Sequence, residues 1–215
     1  EILKASFGEK IYFMHDLGIN ENRIEDNKRS WHRDNPCRAT GIGPDWDLNF
    51  PYNVVSTITY VCSSKETNSY LNVIQRSHIS SYRFTISNVL RFIHRKIYKF
   101  NSLKIIQLII QKIIGTKISY DPGDCVIFLA NLYHMGHGVT VSEKNRKFIL
   151  ARYGGAGEHT NNYINYVFKH RIESVNKYKN SKKVSLFFDY LSKNEIYYPL
   201  PKSKKEIKGV YSNLK

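Results

Sequence analysis

Acidic residues are scarce in this chain: 18 Asp and Glu stand against 33 Lys and Arg in 215 residues, a formal net charge of +15. A basic balance of that size points to anionic partners. Cysteine is scarcer still. Cys37, Cys62 and Cys125 form no CxxC pair and leave one thiol over in any pairing, which excludes a disulfide scaffold and favours a reducing, cytoplasmic setting. Long hydrophobic runs are missing too: the longest apolar region, Leu103 to Ile114, is broken by Lys104, Gln107, Gln111 and Lys112, too short and too polar to span a bilayer. No leader-type segment opens the chain and no internal repeat is visible. Gly154-Gly-Ala-Gly157 lacks the Lys-Ser/Thr of a P-loop and the following acid of a dinucleotide fold, so it reads as a turn before a helix from about His159 to His170.

What is present suits one folded domain. Hydrophobic residues make up 41% of the chain, enough for one sizeable core, and the length favours a single domain over residues 1–215. Ile11 to His15, Val54 to Val61, Tyr70 to Ile74 and Cys125 to Leu129 carry the β-branched and aromatic composition of strands. Asp121-Pro-Gly-Asp124 is a turn signal, and Cys125 after it reads as a core residue. Between about residues 84 and 114 the period changes. Val89, Leu90, Ile93 and Ile97, then Ile105, Ile106, Ile109, Ile110, Ile113 and Ile114, recur at helical spacing, which predicts two helices broken near Asn101-Ser102 and stopped by Gly115. Arg91, His94, Arg95, Lys96, Lys99 and Lys104 alternate with these apolar residues as on a basic interfacial helix, although a solvated amphipathic pair over a barrel is the simpler expectation, with His94 on the surface. About half of the excess charge lies in residues 169–215, where twelve basic residues face four acids. No nucleic-acid module accompanies that run, so it reads as a solvated extension and nucleic acid is not an expected partner.

The chemistry-bearing residues are split across the chain. His32 and Asp34 are two apart, so on an extended segment they share a face while Arg33 points away. About a hundred residues later the apolar strand Cys125 to Leu129 leads to His134 and His137, and Arg146 opens another strand on which Phe148, Leu150 and Arg152 share its face. Two imidazoles and one carboxylate on one side of a metal leave cis positions open, the ligand set of non-heme Fe(II) oxygenases. His134 and His137 are separated by an odd number and face opposite sides of one strand, so one of them can serve, and parity alone leaves both open. Zinc in the same ligands, in a hydrolase, is a further possibility that would need no oxygen.

Taken in order, Trp31-His-Arg-Asp34, Asn72-Val-Ile-Gln-Arg-Ser-His78, Pro122-Gly-Asp124, His134-Met-Gly136 and Arg146 resemble the phytanoyl-CoA dioxygenase-like branch of the Fe(II)/2-oxoglutarate oxygenases, from about Trp31 to Tyr153. Gln75-Arg76 stands where Pro-Gly is usual in that group, a change expected to alter only a turn, and few residues precede His32. The short front and the absence of an initiator methionine suggest an N-terminally truncated fragment. The resemblance implies a mainly β double-stranded β-helix, a jelly-roll barrel like the cupins, with the helical insert and C-terminal helices added. It implies iron on His32, Asp34 and His134, and 2-oxoglutarate chelating that iron with its distal carboxylate on Arg146, or on Arg152 as the fallback. The expected reaction is hydroxylation of an unactivated C–H of a small, anionic substrate by O2, with 2-oxoglutarate converted to succinate and CO2. Asp34 argues against halogenation, which in relatives of this group goes with loss of that carboxylate. The alternative is a non-catalytic jelly-roll protein that binds an anionic partner through its basic surface.

Overall fold

A turn built by proline and glycine shows how closely local chemistry is followed. Gly123 adopts φ +94°, the Asp124 amide donates to the Asp121 carbonyl at 3.1 Å, and the Asp124 carboxylate accepts from the Asp121 amide at 2.8 Å. The strand that follows runs over Cys125–Leu129 as expected. The computed structural model describes residues 1–22, 30–34, 54–138, 146–157, 160, 161, 164 and 189–198. Its elements are α1 (Ile2–Phe7), β1 (Ile11–Asn22), β2 (Val54–Tyr60), β3 (Ser69–Val73), α2 (Ile86–Ile97), α3 (Lys104–Ile114), β4 (Thr116–Ile118), β5 (Cys125–Leu129), β6 (His134–Gly138), β7 (Arg146–Gly155) and β8 (Ile196–Tyr197). Residues 189–193 are helical; the rest of the basic region 169–215 beyond residues 189–198, and most of the helix expected from His159, lie outside the described residues. No helix among the described residues is long and apolar enough to cross a membrane.

The chain divides into two compact units, the first of residues 1–17, 36–56 and 151–215, the second of 18–35 and 57–150. In the first unit strands follow the hydrogen-bonded order β2-β7-β1-β8. β8 runs parallel to β1, with Ile11 opposite Ile196 and Tyr12 opposite Tyr197. A small core of Phe13, Ala151 and Leu191 fills it, and Lys4 Nζ reaches Glu195 at 2.7 Å.

The second unit has the jelly-roll arrangement. One sheet has the order β5-β2-β7 and the other β4-β3-β6, so β5 and β4, β2 and β3, and β7 and β6 hold matching places, and each matching pair is consecutive in the chain. The chain passes from sheet to sheet at each position, which makes a double-stranded β-helix. Ile58 and Tyr60, then Leu71 and Val73, are spaced two apart and point with Phe128 and Phe148 into one shared core, the period-2 signature of half-buried strands. Tyr60 and Tyr120 stack with centroids 3.4 Å apart, and the Tyr120 hydroxyl bonds Ser69 Oγ at 2.5 Å.

Two sequence expectations are corrected. Cys125 is exposed, because side chains alternate along β5: Cys125 and Ile127 share the outward face while Val126 and Phe128 turn to the core. His94, expected on the surface, is fully buried. The helix pair faces inward with Leu90, His94 and Ile97 from α2 and Ile110, Gln111 and Ile114 from α3, and His94 Nε2 lies 2.9 Å from Gln111 Nε2.

Candidate metal centre

Every residue of the site belongs to the second unit. The segment carrying His32 and Asp34 lies beside β6, and His32 and His134 form an antiparallel bridge. The His32 amide donates to the His134 carbonyl at 3.0 Å and the His134 amide donates back at 2.9 Å. The two imidazoles are therefore directly opposed and emerge on one face, with ring centroids 4.4 Å apart. The Asp34 amide donates to the Ala130 carbonyl at 2.8 Å, which returns its carboxylate to that face. Asp34 Oδ1 is 3.9 Å from His32 Nε2 and 3.5 Å from His134 Nε2, and the three ligand atoms all lie within 4.8 Å of one another. The separations from Asp34 fall within the ~4 Å that two metal–ligand bonds of ~2.0–2.2 Å span.

The protonation state suits an ion. His32 Nδ1 lies 3.1 Å from the Ser30 carbonyl oxygen and His134 Nδ1 3.0 Å from that of Leu132. A carbonyl can only accept, so these contacts suit a proton on Nδ1 of each ring and leave Nε2, the atom nearer Asp34, as the one that would coordinate an ion. That outer hydrogen bond fixes ring orientation as in metal-bound histidines. His137 also lies on β6, with its backbone opposite Tyr70. Among the described residues, His32, Asp34 and His134 are the group of three or more such side chains that could hold a metal ion.

Their cavity has a volume of about 160 Å³ and is lined further by Ile58, Tyr60, Leu71, Gly136, Arg146, Phe148 and Leu150. A dry 150 Å³ cavity accommodates benzene, so this is the scale of a small organic molecule. Arg146 is buried beside the Phe148 ring, 4.9 Å from its centroid. Among the described residues no carboxylate pairs with it, and a buried guanidinium without an anion is costly. Burial raises the pKa of Tyr60, against the opposing field of Arg146, so a neutral phenol faces the same space. Arg152 is in the first unit, buried, with Nε donating to Ser56 Oγ at 3.1 Å, and does not line this cavity.

Three contributors escaped the sequence reading. Gly136 is one: a Cβ there would sit 2.6 and 2.7 Å from the two terminal nitrogens of Arg146, so the guanidinium lies over bare backbone. Ser77 is another, fully buried; its Oγ accepts the Tyr133 amide at 2.8 Å and its carbonyl accepts from Arg33 at 2.8 Å. It thus ties together the neighbours of both histidine segments. The motif Asn72 to His78 carried this signal without revealing its partners. Tyr133 is the third, held between the guanidinium groups of Arg33 and Arg91 at 4.3 and 4.2 Å from its ring centre. Trp31 packs in the core with Ile110, Ile114 and Met135.

No family model and no curated protein matches the chain. Among solved structures it is similar to EvdMO1 at 16% identity, covering 73% of this chain and 30% of that one, with a TM-score of 0.44. It is similar to the non-heme alpha ketoglutarate dependent epimerase SnoN from nogalamycin biosynthesis at 13%, covering 68% and 48%, TM-score 0.40. It is likewise similar to EctD from S. alaskensis, solved with 2-oxoglutarate and 5-hydroxyectoine, at 16%, covering 72% and 48%, TM-score 0.45. The chain spans less than half the length of each of these three.

Proposed function

We propose that this chain is an Fe(II)- and 2-oxoglutarate-dependent dioxygenase that hydroxylates an unactivated C–H of a small organic substrate, with release of succinate and CO2. The observation that carries this reading is the coincidence, in one cavity, of a two-histidine, one-carboxylate donor set and a buried arginine with no acidic partner among the described residues. That donor set is the one used for non-heme Fe(II), and when bound the iron supplies oxygen activation at its open positions. His32, Asp34 and His134 hold the ion, with His134 chosen over His137 because its Nε2 faces Asp34. Arg146 takes the distal carboxylate of 2-oxoglutarate, which supplies the anion it needs, and a planar guanidinium does so with two parallel hydrogen bonds. Phe148, Leu150, Ile58 and Leu71 give the rest of the cavity an apolar wall. The phytanoyl-CoA dioxygenase-like branch remains the group whose motif order this chain resembles. Substrate is a small molecule, and the basic surface favours an anionic one.

Anaerobic titration of Fe(II) and 2-oxoglutarate into the purified protein tests the assignment. A visible charge-transfer band is expected in the wild type, lost in His32→Ala and His134→Ala and kept in His137→Ala. Arg146→Ala should retain iron and need far more 2-oxoglutarate. No band in a folded wild-type protein would refute the enzyme reading, and activity with zinc in the absence of oxygen would replace it by a hydrolase.

A further inference from the structure

The helical hairpin α2–α3 is apolar on both faces. Its inner face buries Ile110 and Ile114 together with His94, Gln111 and Arg91, while Phe84, Ile86, Phe92, Ile105, Ile109 and Ile113 stand 52–85% exposed. Ile105, Ile109 and Ile113 follow one another at intervals of four and so form a stripe along α3. Apolar surface gathered in this way marks an interaction site. The charge around it has one sign. From Thr67 to Tyr120 there is no Asp or Glu and there are nine Lys and Arg, of which Arg83, Arg95, Lys96, Lys99, Lys104 and Lys112 are exposed on or beside the hairpin. Lys96 lies 5.4 Å from the Phe92 ring centre and Arg83 5.8 Å from that of Phe84, so cationic heads accompany two of the exposed aromatic rings.

We propose that this hairpin docks the protein on the surface of an anionic bilayer, its isoleucines and phenylalanines entering the boundary between headgroups and acyl chains and its lysines and arginines meeting lipid phosphates. Large exposed apolar side chains with Lys and Arg beside them are the chemistry of an interfacial helix. A second copy of the chain fits less well, because two such faces would bring like charges together with no acid to offset them. Nucleic acid would use the cations and leave the isoleucines unexplained. The hairpin is mounted on the metal segments themselves, since Ile110 and Ile114 pack with Trp31 and Met135, the neighbours of His32 and His134. Docking would therefore hold the cavity close to the lipid surface.

Sedimentation of the full chain with vesicles of phosphatidylcholine, with and without about one-third phosphatidylserine, tests this at ~0.1 and ~0.5 M salt. Binding is expected to the phosphatidylserine vesicles and to weaken at the higher salt. The triple change Lys96→Gln/Lys99→Gln/Lys104→Gln should weaken it about 100-fold, at roughly fivefold per cation. Ile105→Ser/Ile109→Ser should weaken it at least ~10-fold with an unchanged circular dichroism spectrum, both side chains being exposed. Absence of vesicle binding, equal binding to pure phosphatidylcholine, or binding indifferent to the serine substitutions would each overturn the proposal. So would self-association by light scattering that the serine substitutions abolish, or capture of a single-stranded oligonucleotide without vesicle binding.

Discussion

Replacing Gly136 by alanine adds one carbon where the guanidinium of Arg146 now lies, 2.6 and 2.7 Å from its terminal nitrogens and 3.1 Å from Cζ. Ordinary contact between such atoms begins near ~3.5 Å, so the guanidinium must withdraw by about 0.8 Å. Charge-assisted hydrogen bonds of ~2.7–2.9 Å do not survive a shift of that size, and each is worth roughly 1.5–3 kcal/mol. With Arg146 as the 2-oxoglutarate anchor, Gly136→Ala should weaken cosubstrate affinity by about 10- to 100-fold. Iron affinity should stay unchanged, because the backbone bonds that oppose His32 to His134 lie two residues away and need no glycine. Anaerobic titration reads both numbers, first Fe(II) alone and then 2-oxoglutarate against the iron-loaded protein. A double-mutant cycle with Arg146→Gln makes the assay specific, since in that background the added methyl should cost nothing further. Wild-type cosubstrate affinity in a folded Gly136→Ala protein would refute the anchoring role of Arg146. Loss of iron together with 2-oxoglutarate would show that the glycine serves the strand rather than the arginine.

Four further outcomes are expected. Ser77→Ala removes the hydroxyl that accepts the Tyr133 amide and should weaken Fe(II) binding about tenfold, measured by competition with a chelating dye; unchanged affinity would mean that β6 holds His134 unaided. Arg76 sits at φ +59°, where a side chain costs ~1–2 kcal/mol, so Arg76→Gly, less ~0.4–1 kcal/mol for the freer unfolded chain, should raise stability by about 1 kcal/mol in urea unfolding, and a loss would contradict this. Burial pushes the Tyr82 phenol up to about 12 and raises that of Tyr60, while unfolded tyrosines ionise near ~10; the native state keeps its protons longer, so stability falls as pH rises from about 10 to 12 and the fall should be shallower in Tyr82→Phe. His94→Ala and Gln111→Ala should each cost ~1–3 kcal/mol by stranding a buried partner, and the double change should cost less than their sum.

Local chemistry was the legible part of this molecule. The Pro-Gly turn, the strand Cys125–Leu129, the break near Asn101 and the stop at Gly115 depend on residues within a few positions of one another, and each is found. The shared face of His32 and Asp34 was legible for the same reason, because strand period alone dictates it. Burial of His94 was not, since helical periodicity marks an apolar stripe and cannot say which stripe turns inward; Gln111 across the hairpin decides that. Cys125 failed similarly, because an all-apolar strand does not show which of its two faces turns inward. At Arg76 the sequence signalled a turn, and the positive φ explains why glycine would suit it better. Ser77 and Gly136 act through partners 56 and 10 residues away, Tyr133 and Arg146, and no pattern in one chain discloses such pairings.

The reciprocal amide bonds between His32 and His134 also bear on thermodynamics. Bringing together two points separated by roughly a hundred residues carries a loop-closure penalty, and here two backbone hydrogen bonds and a packed core meet it before any ion arrives. An ion joining these side chains acts as a removable clasp on a ring already shut. Chelation should then leave a folded apoprotein, unlike small zinc domains that unravel when stripped. Ligand occupancy would still raise the melting temperature with concentration, because anything bound only by the native state shifts unfolding by mass action. On the proposed function, iron supply rather than folding would then govern how much of the protein is active.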